Sequence, residues 1–149
     1  MHLTKVTLKN YGVYRDKVEF DLTTTPEKPV ILIGGTNGAG KTTLFESILI
    51  GFYGQSYFDK KTTRKEYEKF LGNKVHRYLG TTAAADSTSI VVDFKFYHNG
   101  IVDDYTVDRT WYDDDGRLTE QLKIKKNNKR LDSVEESQWQ SFIEELIPK

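Results

Sequence analysis

Val30-Ile31-Leu32-Ile33-Gly34-Gly35-Thr36-Asn37-Gly38-Ala39-Gly40-Lys41-Thr42-Thr43 is the stretch on which the fold turns. Its first four residues are apolar, mostly β-branched, and bounded by Pro29 and Gly34. They show no polar–apolar alternation, which predicts a strand buried on both faces. Residues 35–42 then fit the pattern Gly-x-x-x-x-Gly-Lys-Thr. Beyond them, residues 41–53 read as a helix. Leu44, Ile48 and Phe52 form its apolar face, with Phe45 and Leu49 beside it, and Gly51 and Gly54 mark its end.

That strand–loop–helix order gives the glycines a chemical meaning. They let a loop wrap tightly with its N–H groups turned inward, and those groups meet the positive end of the helix dipole. The concavity suits an anion. Lys41 is the candidate catalytic cation, reaching β- and γ-phosphates, and the Thr42 hydroxyl is placed to ligate Mg2+. Backbone N–H groups from Gly38, Ala39, Gly40, Lys41, Thr42 and Thr43 complete the cradle. Four fixed positions match by chance in roughly half a per cent of chains this long. The flanking strand and helix lower that further, so we read the loop as a nucleotide-phosphate site, with ATP and Mg2+ as cofactors, rather than as a structural turn.

Outward from the loop, period-2 alternation predicts strands over 3–9 and 18–22, turning at Gly12, with a loop over 23–29. Residues 64–71 suit a short helix and 81–88 a small polar loop. A meander of strands follows over 89–97, 105–111 and 118–125. Its turns are His98-Asn99-Gly100, Asp113-Asp114-Asp115-Gly116 and Asn127-Asn128-Lys129. Ser133 and Glu136 have the spacing of a capping box. After them Trp139, Phe142, Ile143 and Leu146 make one helical stripe. The fold class is therefore α/β: a P-loop core beside an antiparallel β-meander.

Composition narrows the function classes. The 149 residues hold 22 Lys+Arg against 22 Asp+Glu, so no net charge draws the whole domain onto nucleic acid or membrane. Cysteine is absent, which excludes thiolate chemistry. No stretch is long enough to span a bilayer, and the expected location is cytoplasmic. The three histidines have no ligand spacing. Asp113 to Gly116 mimics a GTPase D-x-x-G, and Asn128-Lys129-Arg130-Leu131-Asp132 mimics N-K-x-D with the aspartate one place late; both read better as turns. Two basic groups stand out: Lys60, Lys61, Arg64, Lys65, Lys69, Lys74, His76 and Arg77, interleaved with Tyr57, Tyr67 and Tyr78; and Lys123, Lys125, Lys126, Lys129 and Arg130. Either could meet DNA phosphates, although interrupting acids favour solvated faces.

Asn37 within the loop, the helix Thr43-Leu44-Phe45-Glu46-Ser47-Ile48-Leu49-Ile50-Gly51-Phe52-Tyr53-Gly54 and the opening Leu3-Thr4-Lys5-Val6-Thr7-Leu8-Lys9-Asn10-Tyr11-Gly12-Val13-Tyr14-Arg15 resemble the SMC-type, ABC-related ATPases of DNA maintenance. Residues 31–43 and 139–148 resemble more closely the DndD-type ATPases of DNA phosphorothioate modification. The resemblance implies that residues 1–149 are the N-terminal lobe of an ATP-binding head. It also implies a coiled coil and a C-terminal lobe elsewhere, a head-to-head homodimer sandwiching ATP, and other phosphorothioation proteins as partners. DNA would be met indirectly or through a local basic patch. Tyr14 would lie near the base, Arg15 near phosphate, and Asn37 near the loop or the partner head's nucleotide. No Ser-Gly-Gly signature and no apolar run ending in Asp-Glu occurs in the sequence. This lobe alone should therefore bind nucleotide weakly and hydrolyse it poorly or not at all. A different SMC-like repair or phage-defence ATPase, and a non-catalytic nucleotide-binding interaction module, are the alternatives.

Overall fold

A computed structural model describes residues 1–76, 85–114 and 117–149. The strands are β1 (His2–Tyr11), β2 (Tyr14–Asp21), β3 (Ser87–His98), β4 (Ile101–Asp114), β5 (Arg117–Lys126) and β6 (Lys129–Arg130). The helices are α1 (Lys41–Tyr53), α2 (Arg64–Lys74) and α3 (Trp139–Leu146). All six strands join one antiparallel sheet in the order β2-β1-β3-β4-β5-β6.

Local alternation explains most of these strands. Ile90, Val92 and Phe94 on β3, and Tyr105, Val107 and Trp111 on β4, point to one buried face. Lys9, Lys17, Glu19, Lys123 and Lys125 lie exposed on the other. Two turns use left-handed residues as a two-residue hairpin requires: Asn99 and Gly100 between β3 and β4, and Asn127 and Asn128 between β5 and β6. The Asp115-Gly116 turn and Arg77 to Ala84 lie outside the described residues. What local pattern does not show is the non-local pairing of β1 with β3, which sets Leu8 opposite Ile90 and Val6 opposite Val92.

The helices pack on the buried face. Phe52 of α1 meets Phe94 edge-on at 5.4 Å, Phe94 stacks on Tyr105 at 5.3 Å, and Tyr105 reaches Phe142 of α3 at 6.2 Å. Such pairs contribute about 0.5–1.5 kcal/mol each beyond their burial. Gly51 lets α1 come this close, because a Cβ there would lie 2.9 Å from methyls of both Ile90 and Val92. Trp139 and Ile143 are buried, with Phe142 and Leu146 packed beside them, as the helical stripe requires.

Two expectations are corrected. Residues 30–33 form no strand and belong to no sheet. Val30 is 80% and Leu32 91% exposed, while Ile33 packs against the core. A strand buried on both faces needs paired neighbours and a second covering layer; among the described residues this segment has only the layer under Ile33. Similarly, Ser133 does not cap the last helix. A short 3-10 turn over Glu136–Gln138 precedes α3, whose first residue is Trp139. Glu136 is drawn instead into an ion pair with Arg130, and the Trp139 indole N–H donates to Val134 O at 3.0 Å. A capping box does occur where none was expected: Thr63 and Glu66 cap α2 reciprocally.

Burial pushes the Tyr11 and Tyr67 phenols well above the ordinary tyrosine value, with nearby Glu46 adding to the first and Glu120 to the second. Neither hydroxyl has a hydrogen-bond partner among the described residues. The folded chain therefore holds these protons more tightly than the unfolded chain. Their contribution to stability is full below about pH 10 and falls as pH rises past it. Urea unfolding followed by circular dichroism should give a steady midpoint from about pH 7 to 9 and a falling one above about pH 10; a constant midpoint to about pH 11 would refute this assignment. Gly51→Ala should cost about 1–3 kcal/mol by overpacking, and the same unfolding experiment would show no loss if the close approach of α1 to β3 is wrong.

Candidate nucleotide site

The loop over 34–40 ends in two left-handed glycines, Gly38 at φ 83° and Gly40 at φ 96°. Gly40 is the N-cap of α1 and offers no side chain to cap it. The first turn of α1 therefore presents backbone N–H groups without side-chain acceptors, at the end of the helix that attracts anions. Open space lies over Gly38, where an added Cβ would meet nothing within 4 Å. The Lys41 ammonium folds over the loop and donates to Gly35 O at 2.6 Å and Thr36 O at 2.8 Å. Cation, uncapped helix end and open glycine loop thus converge on one place.

The turn between β1 and β2 braces this loop from beneath. Gly12 approaches Thr43 so closely that a Cβ would lie 2.7 Å from its methyl. Tyr14 donates its hydroxyl to Gly40 O at 3.0 Å and sits edge-on to Phe20 at 5.4 Å. Desolvation pushes the Tyr14 phenol upward, so it keeps its proton and stays a donor. Val13 and Tyr14 together fill the space a side chain at Gly40 would need. The family resemblance implies a place for Tyr14 near the base and does not imply this contact. The signal that bore on it was Gly12 followed by an apolar–aromatic pair.

Other candidates fall less centrally. Arg15 is 65% exposed and pairs with Asp16 at 3.4 Å. Asn37 is exposed on the loop, as are Ala39 and Thr42. Among the described residues no cluster of three or more His, Asp or Glu could hold a metal by itself. Thr42 is suited to supply one oxygen to Mg2+, an ion that takes most of its shell from phosphates and water. A single hydroxyl beside the loop is compatible with an ion whose other ligands are phosphate and water.

Among the described residues, four members of the basic groups are answered by acids. Arg64 pairs with Glu68 and Glu120, and Lys74 with Glu46. Tyr67 is buried and cannot stack on a base. In the second group Lys126 pairs with Asp103 at 2.8 Å, and Arg130 pairs with Glu136 and lies over the Trp139 ring. Lys60, Lys61, Lys65, Lys69, Lys123, Lys125 and Lys129 remain on exposed positions.

With this geometry in view, residues 5–149 match the AAA domain family. The chain belongs to that family. It is also 33% identical over 108 residues to the DNA double-strand break repair Rad50 ATPase of Archaeoglobus fulgidus, covering 72% of this chain and 9% of that protein. The SbcC component of the nuclease SbcCD of Vibrio cholerae is 31% identical over 62 residues, covering 42% of this chain and 6% of that protein. The chain thus spans less than a tenth of the length of these curated relatives. Together the family and the relatives place this AAA domain among the SMC/ABC-type ATPase domains, with an α/β P-loop architecture. Among the described residues no helix is long and apolar enough to cross a membrane.

A substitution at Gly40 tests the brace. Gly40→Ala combines a left-handed φ with a Cβ 2.6 Å from Val13 Cγ2 and 2.7 Å from the Tyr14 hydroxyl. It should destabilise the chain by about 1–3 kcal/mol, whereas Gly38→Ala, strained but with free space, should cost less. Equal unfolding midpoints for the two variants would contradict the packing described.

Proposed function

We propose that this AAA domain binds ATP with Mg2+ as the N-terminal lobe of an SMC-type ATPase head that works on DNA. The observation that carries the reading is the uncapped amino end of α1 behind a left-handed glycine loop, with the Lys41 ammonium held over it. Lys41 would neutralise phosphate charge. Backbone N–H groups from Gly38 to Thr43 would surround the oxygens, and Thr42 would ligate the magnesium, whose charge offsets that building on the transferred phosphoryl group. Tyr14, Arg15 and Asn37 would serve as secondary contacts to the nucleotide or a partner head.

The lobe reading draws on surface as well as loop. Val30 and Leu32 before the loop, and Phe45 and Leu49 on α1, are exposed apolar side chains. A C-terminal lobe supplying neighbouring strands would cover such residues and add the Walker B carboxylates and signature residues that this sequence lacks. ATP binding would then be coupled to head-to-head dimerisation, and hydrolysis would belong to the assembled head.

Two cellular roles fit. DNA phosphorothioation is favoured by the likeness of residues 31–43 and 139–148 to DndD-type ATPases, with other phosphorothioation proteins as partners. Double-strand break repair is favoured by the similarity to the Rad50 repair ATPase and to the SbcC component of a nuclease. Deleting the gene separates them: loss of phosphorothioate from genomic DNA supports the first, and intact phosphorothioation with sensitivity to DNA breaks supports the second.

Isothermal calorimetry with Mg·ATP tests the binding claim. Lys41→Ala should weaken binding at least tenfold, a loss of about 1.4 kcal/mol or more for a charge-assisted contact. A variant that binds ATP as tightly as the unsubstituted chain would instead mark the loop as structural.

A further inference from the structure

We infer that Arg109, a residue of β4, is a positioning residue that fixes the phosphate-loop helix along its axis. This inference rests on the reading of the α1 amino end as the nucleotide site. Arg109 lies on the buried face of the sheet between Val107 and Trp111 and is 3% exposed. A buried guanidinium must find acceptors for its donors and a countercharge. It finds them at the far end of α1. Its Nε donates to Gly51 O at 3.1 Å and its Nη2 to Phe52 O at 3.3 Å.

Those carbonyls belong to the last turn of α1, where a helix leaves acceptors unsatisfied and carries partial negative charge. The last turn has no basic residue of its own. Arg109 supplies the missing cation from the sheet. Gly54, directly after α1, makes room for it, since a Cβ there would lie 2.6 Å from Arg109 Nη1. The charge is balanced by Glu120 of β5, which also receives Arg64 of α2. A third arm reaches α3: Nη2 donates to Gln140 Oε1 at 2.6 Å, and Gln140 Nε2 donates in turn to Phe52 O at 3.3 Å. One side chain therefore ties the carboxyl end of α1 to β5, α2 and α3.

The consequence falls at the other end of the helix. α1 is a 13-residue rod with the phosphate loop on its amino end. Gly51 sets how near it lies to the sheet at Ile90 and Val92, and apolar packing resists sliding along the sheet less sharply than directed contacts do. Directed hydrogen bonds to two carbonyls do resist it. Displacing the rod by an ångström would carry the amino-end N–H groups off the phosphate oxygens. The hydrogen bonds of Arg109 go to Gly51, Phe52, Glu120 and Gln140, so it acts through the helix.

The test uses the whole chain and Mg·ATP as probe. Arg109→Lys keeps the charge facing Glu120 but loses the fork that spans Gly51, Phe52 and Gln140. It should weaken Mg·ATP binding about tenfold at a temperature where circular dichroism shows it folded. Amide exchange in the last turn of α1 should rise in parallel. Gln140→Leu removes one arm and leaves the ion pair, so it should weaken binding by a smaller factor and serves if Arg109→Lys does not fold. Ile124→Ala, in the core of β5 away from α1, should lower the melting temperature while leaving affinity within about twofold. Unchanged affinity in folded Arg109→Lys or in Gln140→Leu overturns the inference, as does an equal loss in Ile124→Ala. If the unsubstituted chain does not bind Mg·ATP, the nucleotide reading itself fails, an outcome distinct from any of these.

Discussion

Peptide N–H groups at the amino end of α1 have no side-chain cap, and contacts from the β1–β2 turn, β3 and β4 bear on that helix. An uncapped helix end is costly in a protein unless water or an anion completes it. Here the sequence that would supply a cap supplies glycine instead. Gly40 leaves the donors open, and its left-handed backbone turns the loop back over them. From beneath, the β1–β2 turn presses Val13 and Tyr14 against the same glycine. From the side, Gly51 seats the helix on Ile90 and Val92. From the far end, Arg109 and Gln140 hold its carbonyls. The candidate site thus rests on contacts to one helix from three directions.

Much of this was legible in the sequence because the controlling patterns are local. Alternation on β3 and β4 places Ile90, Val92, Tyr105 and Val107 on a common face, and the Asn-Gly and Asn-Asn turns set the hairpins. The stripe of Trp139, Phe142, Ile143 and Leu146 likewise follows from helical geometry. The loop over 35–42 is legible as a candidate phosphate site for another reason: glycines, lysine and threonine have fixed stereochemical duties at fixed spacing. What failed was non-local. The apolar run at 30–33 reads as a two-face-buried strand, yet only Ile33 finds the core, and Val30 and Leu32 face outward. Ser133 had the spacing of a cap, but Glu136 met Arg130 first, and ion-pair partners cannot be ranked from spacing.

Arg109 shows the middle case. Its place in the alternating series Tyr105, Val107, Arg109, Trp111 put a charge on a core-facing position, which the strand pattern alone made visible. Buried arginines are rarely without partners. The partners themselves, α1 carbonyls 57 and 58 residues away in sequence, needed the folded structure. The same holds for Tyr14, whose hydroxyl braces a carbonyl 26 residues on.

On the proposed function, the loop and the amino end of α1 form the phosphate cradle. Amide NMR of the uniformly 15N-labelled chain titrated with Mg·ATP addresses it directly. Saturable shifts should be largest for the N–H groups of residues 38–43, with none of that pattern for adenosine, which lacks phosphates. Shifts confined to the outer face of the sheet, or identical responses to ATP and adenosine, would contradict it.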